Sequence, residues 1–136
     1  MSDENVALAR RLVEAWNARD LDALLALGHP DAEYLNAPTA LEPGTRRGRS
    51  EIEAVIRTQW DMLHDAHQHI ERVYERGDEV FLLCRLSHLM PDSDARIEDR
   101  VLVGVTCRDG RVARYEILAQ GAANLAAALE TAGLDA

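Results

Sequence analysis

Asp99 is the residue placed to do chemistry. Along Arg96–Cys107, one face of a strand would carry Ile97, Asp99, Val101, Val103, Val105 and Cys107. The other would carry Arg96, Glu98, Arg100, Leu102, Gly104 and Thr106. The first face is the apolar one and is expected to look inward, taking Asp99 with it. A carboxylate among valines is costly to ionise unless it is paired. In the preceding run, Glu79–Leu89, the face Phe81, Leu83, Arg85, Ser87, Leu89 would bring Arg85 or Ser87 opposite Asp99, because Pro91–Asp94 turns the two runs into neighbours. An interior Arg85–Asp99 pair would make Asp99 a general base toward water or an acidic C–H, with Arg85 steadying developing negative charge. Two alternatives stay open. Val80, Leu82, Cys84 and Leu86 are as apolar as the other face, so periodicity does not choose between them. Asp99 can also lie near the strand start, reach solvent and pair with Arg100 or Arg85.

Other constellations carry less. His64, His67 and His69 stand near Asp61 and Asp65, but a helix end running into a strand fixes no coordination geometry, so no metal site is expected. Ser87 and His88 are adjacent on a strand and point to opposite faces, which precludes a direct dyad. There is no GxSxG elbow. Arg46, Arg47 and Arg49 form a basic loop, read as solvated. Cys84 and Cys107 lack metal-ligand spacing and are read as reduced, buried thiols.

Composition narrows the chemistry further. The 136 residues hold 15 basic and 24 acidic side chains, for a net charge of −9. Every base is arginine, which removes Schiff-base chemistry, pyridoxal phosphate and Walker-type phosphate loops, so no organic cofactor is expected. The acidic balance argues against nucleic acid. No long apolar run and no export signal is seen, which points away from a membrane and toward the cytoplasm.

The elements that must position these residues follow from periodicity. Val6, Ala9, Leu12, Val13 and Trp16 make a helical stripe from Asp3 to Trp16, capped by Ser2 or Asp3. Asp20 caps a second helix through Leu27, stopped by Gly28-His29-Pro30. Asp31–Asn36 reads as a short strand, and Pro38–Arg49 as a loop. Ser50-x-x-Glu53 is a capping box for a third helix bearing Ile52, Val55, Ile56, Trp60 and Leu63, with Gln59 beside them. Strands Gln68–Arg76, Glu79–Leu89, Arg96–Cys107 and Arg111–Gln120 follow, with turns at Gly77-Asp78 and Asp109-Gly110. Ala122–Ala132 closes the chain as a helix ended by Gly133. Residues 1–136 therefore form a single α+β domain: a cone-shaped, curved antiparallel sheet packed against the N-terminal helices and enclosing a pocket.

The motifs Ala15-Trp16-Asn17-Ala18-Arg19-Asp20-Leu21-Asp22, Asp31-Ala32-Glu33-Tyr34, Arg47-Gly48-Arg49 and Asp109-Gly110-Arg111-Val112, in this order, resemble the SnoaL-like branch of the nuclear transport factor 2-like superfamily. The resemblance implies the cone fold and a fold that hosts isomerases, cyclases, dehydratases, epoxide hydrolases and non-enzymes. Against the ketosteroid isomerases, the base position holds Asn36, the tyrosine position Leu12 and the second acid position Val103. The pattern is also partly similar to limonene epoxide hydrolase. Tyr34-Leu35-Asn36-Ala37-Pro38 matches its water-positioning tyrosine and asparagine, and Arg85 its arginine; Ser87 and Ile117 stand where it has aspartates.

The expected catalytic set is thus Asp99, Arg85, Tyr34 and Asn36. Val13, Trp16, Leu63, Ser87, Val101, Tyr115 and Ile117 would form the substrate wall. The function expected is cofactor-independent acid–base chemistry, of hydrolase, lyase or isomerase type, on an apolar oxygenated small molecule. The alternative is a non-catalytic ligand-binding or dimerisation domain. The resemblance also implies a homodimer, for which a convex face with Leu82, Cys84 and Leu86 would supply the apolar surface.

Overall fold

The computed structural model describes residues 2–36 and 44–134. The chain runs α1 (Ser2–Asn17), α2 (Leu21–Ala26), β1 (Gly28–Asn36), β2 (Gly44–Arg47), α3 (Gly48–Met62), β3 (His64–Arg76), β4 (Glu79–Leu89), β5 (Arg96–Arg108), β6 (Arg111–Gln120) and α4 (Ala122–Ala132). The strands form one curved, unclosed six-stranded sheet in the order β2-β1-β6-β5-β4-β3.

The expected α+β architecture is present, with corrections of detail. The sheet is mixed: β1 lies parallel to β6, while every other pairing is antiparallel. Part of the stretch read as a loop forms β2, which pairs Arg47 with Glu33 and Thr45 with Leu35. Residues 37–43, including Ala37 and Pro38, lie outside the described residues. The third helix begins at Gly48, so Ser50 is inside its first turn and does not cap it; instead Glu51 Oε1 accepts from the Arg47 backbone N–H at 3.2 Å. Asp20 caps α2 as expected, accepting from the Ala23 amide at 3.1 Å. Asp109 and Gly110 both take positive φ (54° and 74°), the twist a tight hairpin needs.

Alternation along the strands sorts the apolar side chains into two clusters. One face of the sheet presents Tyr34, Val80, Leu82, Cys84, Leu86, Val101, Val103 and Val105 to α1, α2 and α3. The other presents Phe81, Leu83 and Leu102 to Leu125 and Leu129 of α4. Helices therefore cover both faces, not one, and this decides the ambiguity of β4. Phe81 and Leu83 need an apolar cover, and α4 supplies it from the convex side. Leu82, Cys84 and Leu86 point into the fold, so they cannot form the dimer surface expected of them.

α1 is fastened to the sheet by a side chain acting as a strand neighbour. Asn17 donates to the Gln68 carbonyl and accepts from the Gln68 N–H, each at 2.8 Å. Arg19 adds a bond to the Leu63 carbonyl at 3.1 Å. These contacts give the Trp16-Asn17-Ala18-Arg19 motif a positioning job: it holds α1 over β3 and hence holds Trp16 over the concave face.

Candidate functional site

Between the helices and the concave face lies a cavity of about 510 Å³, within the range that holds a small organic ligand. Its walls are mainly apolar, with Leu12, Val13 and Trp16 from α1, Ile52, Val55, Ile56 and Leu63 from the α3 segment, and Val101, Val103 and Ile117 from the sheet. Of the expected site residues, Asp99, Tyr34, Asn36, Val13, Trp16, Leu63, Val101, Tyr115 and Ile117 line it.

Arg85 and Ser87 do not. On β4 they share the convex face with Phe81 and Leu83. Arg85 is exposed and sits with its Nε 3.3 Å from Glu98. Ser87 accepts a bond from Arg96 at 2.8 Å, and the same guanidinium holds Asp65. The expected Arg85–Asp99 pair is therefore absent, and the reason is the parity of β4: Asp99 lies opposite Leu86, while Arg85 lies opposite Arg100. Without Arg85 inside, the likeness to limonene epoxide hydrolase is reduced to Tyr34 and Asn36.

Asp99 itself faces the cavity. Its Oδ1 accepts from the Arg100 backbone N–H at 2.8 Å and its Oδ2 from Gln120 Nε2 at 3.3 Å. Among the described residues no arginine pairs with it. Arg100 turns to the other face and meets Glu71 at 2.9 Å.

A second polar group occupies the cavity away from Asp99. Trp16 Nε1 donates to Gln59 Oε1 at 3.2 Å, and Gln59 Nε2 donates to the Tyr34 hydroxyl. Tyr34 stacks on Tyr115, with centroids 5.4 Å apart and planes 12° from parallel. Burial pushes the Tyr115 phenol well above the usual tyrosine pKa, and Tyr34 and Cys84 push it further, so it stays protonated across the neutral range. Tyr115 pairs with Val105 in β5, and Asp99 lies six positions earlier on that strand, roughly 20 Å along it at the usual strand rise. Carboxylate and phenols are thus anchored toward opposite ends of the same cavity.

The lining also holds polar residues not singled out as site residues from the sequence: the carboxamides Gln59, Gln68, Gln120 and Asn124, together with His29, Glu33, Arg49 and Thr58. Gln59 was the legible one, since it lies on the same side of α3 as the apolar Val55 and Ile56. Gln120 was hidden by a bulge. Ile117 pairs with Val103 but Ala119 with Leu102, so Leu118 is an extra residue. The parity of β6 flips there, and Gln120 turns inward where alternation would turn it out. His64, His67 and His69 are exposed, and no group of metal-ligating side chains gathers among the described residues. None of the helices is long and apolar enough to cross a membrane, again among the described residues.

Residues 9–115 match the family profile of the SnoaL-like domain. This chain belongs to the SnoaL-like domain family. Solved structures agree on the fold. A loop truncation variant of IdmH has 26% identity, covering 92% of this chain and 98% of that one, with a TM-score of 0.76. A protein of ketosteroid isomerase-like fold from Catenulispora acidiphila, in complex with trimethylamine, has 18% identity, covering 94% and 93%, with a TM-score of 0.73. A protein from Sinorhizobium meliloti, provisionally described as a polyketide cyclase, has 21% identity, covering 82% and 93%, with a TM-score of 0.68. No curated protein matches the sequence. This SnoaL-like chain has a hollow concave face whose polar lining includes the Asp99 carboxylate, two stacked phenols and a set of carboxamides.

Proposed function

We propose that this SnoaL-like protein is a small-molecule enzyme of isomerase or cyclase kind, acting by acid–base chemistry on an apolar oxygenated substrate held in the cavity. One observation carries the reading: Asp99 presents a carboxylate to a mainly apolar cavity, and among the described residues no arginine neutralises it. A carboxylate in that setting is a base available to a substrate. Tyr115, held protonated by burial, and Gln59, oriented by Trp16, are hydrogen-bond donors toward the other end of the cavity, where they would hold a remote oxygen of an extended substrate while Asp99 acts on its near end. Side chains alone suffice for such steps, so no organic cofactor enters the proposal. The neighbour described as a polyketide cyclase supports the same broad kind of chemistry. The loss of Arg85 from the interior disfavours epoxide opening relative to proton abstraction.

The test is solvent exchange. Apolar ketones are incubated with the protein in deuterium oxide, and loss of the α-C–H signal is followed by NMR. Wild type is expected to accelerate exchange for at least one ketone, and Asp99→Asn to lower that rate by about 10²–10⁴-fold. Binding of ketones with no exchange would replace the enzyme reading by that of a binding module. Exchange at full rate in Asp99→Asn would remove Asp99 as the base.

A further inference from the structure

Where β5, β6 and α4 meet, the protein's own hydrogen bonds use one N–H of each of two side-chain amides. Gln120 gives its Nε2 to Asp99 Oδ2 at 3.3 Å, and Asn124 gives its Nδ2 to the Gln120 backbone carbonyl at 3.2 Å. An amide oriented by its nitrogen presents its oxygen on the other side. All three side chains line the cavity: the Asp99 carboxylate offers acceptors only, while each amide offers its oxygen together with its second N–H.

Among the described residues, no arginine balances this end from within. Arg100 and Arg85 are on the convex face, against Glu71 at 2.9 Å and Glu98 at 3.3 Å. The other acid of the lining, Glu33, is held by Arg47 at 2.9 Å, and the arginine of the lining, Arg49, is exposed. The sequence has no lysine, and its net charge is −9. A ligand carboxylate seated here would face Asp99 without a counter-charge at a partly exposed end of the cavity. An ammonium would gain a charge-assisted bond and two amide oxygens. A hydroxyl would gain one good bond and a base beside its proton.

We propose that the cavity selects apolar ligands whose head group donates hydrogen bonds to the Asp99 end, in the order ammonium, hydroxyl, carboxylate. This rests on the reading of the cavity as a ligand site and adds the class of head group that the site takes.

Three probes sharing one ring system test it: 1-naphthylmethylamine, 1-naphthalenemethanol and 1-naphthoate, titrated calorimetrically into the full chain at pH 8. Salt at about 0.15 M screens the diffuse attraction between an acidic protein and a cation. The amine is expected to bind at least about tenfold more tightly than the carboxylate, with the alcohol between. Asp99→Asn is expected to bring amine and carboxylate within about threefold of each other while the alcohol still binds. Asn124→Lys, at an exposed position on α4, tests the same point without touching the acid, and is expected to raise naphthoate affinity relative to the amine. Equal binding of amine and carboxylate by wild type, or an amine preference that survives in Asp99→Asn, overturns the inference and leaves the cavity reading standing. Failure of all three probes to bind overturns both.

Discussion

Trp16 donates its indole N–H to Gln59 Oε1 at 3.2 Å, and this contact decides which end of the Gln59 amide meets Tyr34. With Oε1 engaged, Nε2 must face the phenol, and Tyr34 enters that bond as the acceptor. Three elements distant in sequence, α1, α3 and β1, are thereby joined through one carboxamide in an otherwise apolar space.

Gln59→Leu is expected to remove the Gln59 acceptor from the Trp16 indole and the Gln59 donor from the Tyr34 hydroxyl. A loss of about 1–3 kcal/mol follows from one buried polar group left unsatisfied, measured as a fall in the denaturant midpoint with unchanged slope. An unchanged midpoint would mean that the chain of contacts does not hold these elements together.

Arg85→Ala tests the assignment of faces. The residue is exposed and its ion pair with Glu98 is a surface one, so the stability change is expected to stay within about 1 kcal/mol. Affinity for cavity ligands is expected to be unchanged. A large loss of ligand affinity on titration would place Arg85 back at the site.

Leu102→Ala separates packing from binding. Leu102 is fully buried between β5 and α4 on the face away from the cavity. Its truncation is expected to cost about 2–5 kcal/mol in chemical denaturation. Because the void opens on the convex side, naphthalenemethanol affinity of the folded fraction is expected to hold.

Alkaline pH should weaken the fold through Cys84 and Tyr115. Burial, with a smaller contribution from Glu71, pushes the Cys84 thiol from 9.0 up to about 12, and Tyr115 is raised as well. The unfolded chain then releases these protons first. Stability is intact below about pH 9 and falls as pH rises toward 12, by about 1.4 kcal/mol per unit for each group titrating only in the unfolded state. Midpoints measured at pH 8 and 10.5 check the sign. In the native state Cys84 is also expected to resist alkylation at pH 8, and a rapid reaction there would contradict its burial.

The fold was readable because local signals agreed with one another. Asp20 caps a helix, Asp109-Gly110 makes a tight turn, and β4, β6 and α4 end where their punctuation says. The orientation of Asp99 was readable too, since only one face of β5 is apolar at every other position. Arg85 was not, because both faces of β4 are apolar and only the docking of α4 onto Phe81 and Leu83 distinguishes them. β2 was missed because Gly44-Thr45-Arg46-Arg47 has no apolar alternation; pairing with β1 makes it a strand. The inward turn of Gln120 depends on the irregularity at Leu118, which no alternating pattern announces.

The parallel seam between β1 and β6 has a consequence for how the molecule comes into being. Tyr34 meets Tyr115 only after roughly eighty intervening residues have been made, and such long-range pairing is late and slow compared with local hairpins. During synthesis, the meander of β3, β4 and β5 can assemble while the N-terminal strand still waits for its partner. β6 is therefore the strand that joins the two halves of the chamber, and a chain that stalls before it exposes a valine-lined sheet to whatever else is sticky nearby.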